Sequence, residues 1–138
     1  MDNASPSVPF KIANAYGGLA DCNGLARATD DGLLLEFEAK DGFFGVLKSG
    51  VKSLVIAWSE LANLRLRKGW FGTRLHLTVH SLRTLQEVPG AEACEVSLRV
   101  ARRNRAVAEE LAMNVNFRLC ERELRRGAVD PRRNDRAR

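Results

Sequence analysis

Cysteine is scarce: Cys22, Cys94 and Cys120 are the only three in 138 residues, and they stand far apart. An odd, scattered count builds no disulfide framework, and without a C-x-x-C pair there is no zinc or thiol-redox motif. Histidine is scarcer still, with only His76 and His80. Four apart on a strand, they lie about 13 Å from each other along it, too far to share one metal ion. The chain has no Gly-x-Ser-x-Gly, no phosphate-cradling glycine loop and no His-Glu-x-x-His. Catalytic residues, metal and cofactor are therefore not expected, and function is expected to lie in binding. No apolar run approaches the ~20 residues that span a bilayer. The start lacks the basic segment and apolar stretch of a secretory signal. A cytoplasmic protein without a transmembrane segment is the expectation.

What is present suits one folded unit. An apolar fraction of 45% beside a charged fraction of 28% supports a hydrophobic core and argues against global disorder. The formal charge is +5, but the stretch from Arg125 to Arg138 holds six arginines against two aspartates. Four of the five net charges thus sit in a tail, leaving a nearly neutral body. That distribution weakens the argument for a basic docking face on the folded body. Nucleic-acid binding through the arginine tail is a third reading, set below solvated disorder as the tail's explanation.

Residues 1–22, with Pro6, Pro9 and Gly17-Gly18, predict an irregular lead-in, draped on the domain through Phe10, Ile12 and Tyr16. Strands are predicted at Leu25–Thr29, Leu33–Ala39, Ser53–Trp58, Leu61–Lys68, Thr73–His80, Thr84–Val88 and Ala93–Val100. In the second, Leu33, Leu35 and Phe37 alternate with Glu36 and Glu38, the period-2 mark of a half-buried strand. The tetrapeptide Gly69-Trp70-Phe71-Gly72 joins the clearest hairpin. Pairing Lys68 with Thr73 sets Leu66 against Leu75, Leu64 against Leu77 and Ala62 against Val79. It also sets Arg67 against Arg74, Arg65 against His76 and Asn63 against Thr78. Slipping it by one residue mixes apolar with polar along the ladder.

A helix is predicted from Arg105 to Arg126, with Asn104 as N-cap, Gly127 at its end and Pro131 beyond. Val107, Ala108, Leu111, Ala112, Val115 and Leu119 form a core-facing stripe. Met113, Phe117, Cys120 and Leu124 form a second stripe on another side. Residues 128–138 carry arginine without apolar pattern and predict a disordered tail.

Seven strands followed by one amphipathic helix resembles the element order of a pleckstrin-homology-like (PH-like) domain. The stretch from Val55 through Trp58-Ser59-Glu60-Leu61 to Leu64, then Lys68 to Thr73, is similar to a segment of bacterial members. The resemblance covers roughly Leu25 to Leu124. It implies a mainly β split barrel of about seven antiparallel strands, capped by the helix, over residues 23–127. It also implies an interaction role without an established ligand. The lysine and Lys/Arg-x-Arg pattern of phosphoinositide-binding relatives has no counterpart. The first predicted hairpin turns through Asp30-Asp31-Gly32, whose carboxylates repel a phosphorylated headgroup.

Three surfaces carry binding hypotheses. The first is the cationic patch of Arg65, Arg67, Arg74 and His76, unless Glu36, Glu38 or Glu95 neutralises it. The second is the tip, Trp70 and Phe71 beside Lys68 and Arg74, which suits a membrane interface or a protein pocket and equally an aromatic folded over the barrel end. Phe43 and Phe44, with Lys40, Lys48 and Lys52, form a similar loop. The third is the stripe of Met113, Phe117, Cys120 and Leu124, to be covered by the N-terminal segment, a second copy or another protein. The leading functional expectation is a non-catalytic interaction module acting through protein contact or homo-oligomerisation. The alternative is peripheral binding to anionic membrane lipids through the Trp70/Phe71 tip.

Overall fold

The computed structural model describes residues 6–14, 20–41, 48–70 and 72–129. The strands are β1 (Val8–Asn14), β2 (Ala20–Ala28), β3 (Gly32–Asp41), β4 (Lys48–Ala57), β5 (Leu61–Gly69), β6 (Gly72–Val79) and β7 (Glu95–Val100). A single 3-10 turn, Arg102–Asn104, leads into helix α1, Arg105–Val129. The strands form one open antiparallel sheet in the order β4-β3-β2-β1-β7-β6-β5. The mainly β class with a C-terminal helix is thus observed, and the sheet is of the split-barrel type.

Among the described residues the strand count matches expectation, but the seven strands are not the expected seven. Val8 to Asn14 is a strand at the centre of the sheet, where an irregular lead-in was predicted. Val8, Phe10 and Ile12 are buried while Pro9 and Lys11 face outward, an alternation obscured by the surrounding proline and serine. Among the described residues the β1–β7 pairing register has the single pair Lys11↔Arg99, so Pro9 falls beyond it and its missing N–H interrupts no pair there. Conversely, Thr84–Val88 is not a strand. Its N–H groups bond three residues back, as in Val88 N to Leu85 O at 3.0 Å. Leu85 and Val88, three apart, both enter the core, which is a turn period.

The predicted β5–β6 register holds from Asn63↔Thr78 to Lys68↔Thr73, including Leu64↔Leu77, Arg65↔His76, Leu66↔Leu75 and Arg67↔Arg74. One pair differs. Val79 faces Leu61, because an irregularity between Leu61 and Asn63 puts Ala62 out of step.

Helix α1 buries Ala108, Leu111, Ala112 and Val115, with Val107 and Leu119 packed partly against the core, as its first stripe predicts. Two polar contacts fix it. The Asn116 side chain donates to Leu64 O (2.7 Å) and accepts from Leu64 N (3.3 Å), standing in for a strand on the free edge of β5. The Arg118 guanidinium donates to Thr29 O (2.9 Å) and lies 5.3 Å from the Trp58 ring centroid. Trp58 Nε1 in turn donates to Asp30 O at 3.0 Å. The helix start and end depart from prediction. Asn104 belongs to the 3-10 turn, its N–H bonded to Ala101 O at 2.8 Å, and α1 continues through Gly127 to Val129. The expected disordered tail, from residue 130 onward, lies outside the described residues, as do Tyr16 and the Phe43/Phe44 loop.

Candidate anionic-surface site

The outer face of one half of the sheet is where the charges gather. Leu64, Leu75, Leu77, Val96 and Leu98 point inward, so period-2 geometry turns their neighbours out. β5–β6 pairing sets Arg67 beside Arg74, β6–β7 pairing sets Arg74 beside Arg99, and β1–β7 pairing sets Arg99 beside Lys11. Four exposed cations therefore form one register row across four neighbouring strands. At an interstrand spacing of 4.7–4.9 Å, this row runs about 14 Å. The next row holds Arg65, His76 and Ser97. Like charges directly opposite are destabilising, so this row weakens the sheet it crosses.

The sequence-predicted patch of Arg65, Arg67, Arg74 and His76 is assembled by this register. Arg99 and Lys11 were missed. Arg99 stands at an outward position of a predicted strand, but its neighbours needed the β6–β7 register. Lys11 needed recognition of β1.

Neutralisation fails for most of the patch. Glu36 and Glu38 lie on β3, separated from β7 by β2 and β1. Among the described residues no carboxylate forms an ion pair with Arg65, Arg67, Arg74 or Arg99. Lys68 does pair with Glu109 (3.2 Å), and Lys11 stands 3.9 Å from Asp21. Glu95 is the one predicted acid on this half of the sheet. Burial, then Arg67 and Arg74, hold His76 below its usual pKa; Arg65 adds to this and Glu95 opposes it. The nearly neutral body therefore hides a segregated basic face, and the composition argument against one is corrected. Averaging over the chain discards position. Directly across from His76, the buried Ser97 hydroxyl has no hydrogen-bond partner among the described residues.

Trp70 stands at the end of this face. The hairpin narrows to Gly69↔Gly72, and Gly72 has φ +122°, a conformation that L side chains rarely adopt. Trp70 is 96% exposed, so it does not fold over the barrel end. One cleft beside it, of about 710 Å³, is lined in part by Lys11, Asn23, Arg99, Arg102 and Arg103. A second, of about 340 Å³, is lined by Arg67, Lys68, Arg74 and His76 among others. Phe71 lies outside the described residues.

The second stripe of α1 faces away from the sheet. Met113 is 69% exposed, Phe117 65% and Leu124 69%, with Cys120 also exposed. Phe10, predicted to help cover it, is instead in the core at 4%. Among the described residues, no group of three His, Cys, Asp or Glu side chains gathers as a metal site, and no helix is long and apolar enough to cross a membrane. The chain matches no protein-family model, no curated protein and no solved structure.

Proposed function

We propose that this chain is a non-catalytic, PH-like interaction module that attaches peripherally to anionic membrane surfaces. The carrying observation is the row Arg67–Arg74–Arg99–Lys11 ending near the exposed Trp70. Tryptophan favours the membrane–water interface, and each basic residue near an anionic leaflet contributes about 1 kcal/mol. Trp70 enters the interface while the row and the adjoining Arg102 and Arg103 meet lipid phosphates. Single-stranded nucleic acid is the competing polyanion, but its binding draws on successive aromatic platforms. Trp70 is the only exposed large aromatic on this face among the described residues.

Co-sedimentation with vesicles of phosphatidylserine in phosphatidylcholine tests the proposal. Wild type should pellet with anionic vesicles and stay in solution with neutral ones. Replacing Arg74 and Arg99 together by Glu should weaken partition by about 2 kcal/mol or more, roughly thirtyfold. Equal binding by this variant, or preference for a single-stranded oligonucleotide over the vesicles, would overturn the assignment. Protein contact through Met113, Phe117, Cys120 and Leu124 remains a second reading, favoured by their exposure. It uses none of the cationic residues.

A further inference from the structure

The opposite end of the sheet has a different character. β4 pairs with β3 alone and ends the strand order, so among the described residues its other edge has no strand partner. Ile56 is buried and Leu54 packs partly on the core, which turns Val51, Ser53 and Val55 to the outer face. All three are exposed, Val51 at 73% and Val55 at 48%. Val55 sits beside Leu34 in register, and Leu25 on β2 is 39% exposed nearby. A free edge bordered by bare β-branched residues is a template for another strand.

The pattern Val51-x-Ser53-x-Val55 is its own mirror about Ser53. Antiparallel pairing of two copies about Ser53 sets Val51 of each against Val55 of the other and Ser53 against Ser53. Both valines lose their exposure, and no charge faces a like charge on the outer face. Lysine on an edge normally opposes such pairing. Here Lys52 turns to Glu87 at 3.4 Å and points to the other face. The geometry points to a second copy of this chain as the occupant, joined through β4 from Val51 to Val55 into one continuous sheet. This goes beyond membrane attachment and uses none of its residues. Two copies present two basic faces, which strengthens attachment through avidity.

The contact is short, so association should depend on concentration. Replacing Ser53 by Cys tests its register, in a Cys120→Ser background that removes the exposed native thiol. Directly opposed residues of an antiparallel pair lie within disulfide reach. This variant should form a covalent dimer on mild oxidation at high protein concentration. Sedimentation of wild type should show a concentration-dependent dimer that Val51→Lys abolishes and Phe117→Glu leaves intact. A Ser53→Cys chain that stays monomeric overturns the inference. So does a dimer lost with Phe117→Glu but kept with Val51→Lys, which assigns the contact to α1. These measurements need no lipid, so their outcome is independent of the vesicle experiment.

Discussion

At the scale of single residues, His76 reports on the field around it. Arg65 faces it from β5 and Ser97 from β7; Arg67 and Arg99 stand one register row to one side with Arg74, and Glu95 one row to the other. Its native pKa lies below the ordinary 6.5, so between the native pKa and 6.5 the unfolded chain binds more proton than the native one. Stability contributed by neutral His76 is therefore present above pH 6.5 and lost as pH falls through this window. Lipid phosphates should reverse the shift, because an anion favours the charged ring. Vesicle binding should then strengthen on going from pH 7.5 to 5.5, and His76→Gln should remove that part of the dependence. A pH profile unchanged by His76→Gln would mean that the imidazole stands apart from bound phosphate. Gly24 makes a separate prediction. A methyl there would sit 2.5 Å from Phe10 Cζ, so Gly24→Ala should cost about 1–3 kcal/mol in urea unfolding.

At the scale of elements, the open edges of the sheet are treated differently. The amide of Asn116 satisfies Leu64 on β5, whereas β4 has no strand beyond it among the described residues. Asn116→Ala should therefore destabilise the fold by about 1–3 kcal/mol, with both Leu64 groups losing partners. Asn116→Asp should be intermediate, since it keeps the acceptor but loses the donor. Thermal melts of the two variants give the comparison directly. The elements that the sequence announced clearly are those with local patterns. Alternating leucines defined β3, and the matched polarity of two strands fixed the β5–β6 register. The core stripe fixed which side of α1 faces inward. What stayed hidden was set by distant partners. β1 looks like a loop until β2 and β7 flank it, and the helical turn at Arg102 begins before the residue best suited to cap it. Leu85 and Val88 resembled strand residues because five residues cannot separate a period of two from a period of three.

At the scale of the whole molecule, charge is arranged against its own average. Composition located the excess in the tail, yet strand order lines up Arg67, Arg74, Arg99 and Lys11 while keeping Glu36 and Glu38 on the far half of the sheet. Half of that row was legible as a patch, because a single hairpin contains Arg67 and Arg74. The other half needed the topology. The consequence is a face whose affinity for anions should be strongly salt-dependent. Vesicle binding at 50 mM salt should fall severalfold by 200 mM, whereas binding driven by Trp70 alone would change little.

Tryptophan fluorescence tests the central proposal most directly. Trp58 is tied to Asp30 and Arg118, and Trp70 stands free. The emission of wild type minus that of Trp70→Phe therefore isolates Trp70. On adding phosphatidylserine vesicles this difference spectrum should shift to the blue and be quenched by brominated acyl chains. An unshifted, unquenched spectrum under conditions where the protein sediments with the vesicles would contradict insertion of the hairpin tip.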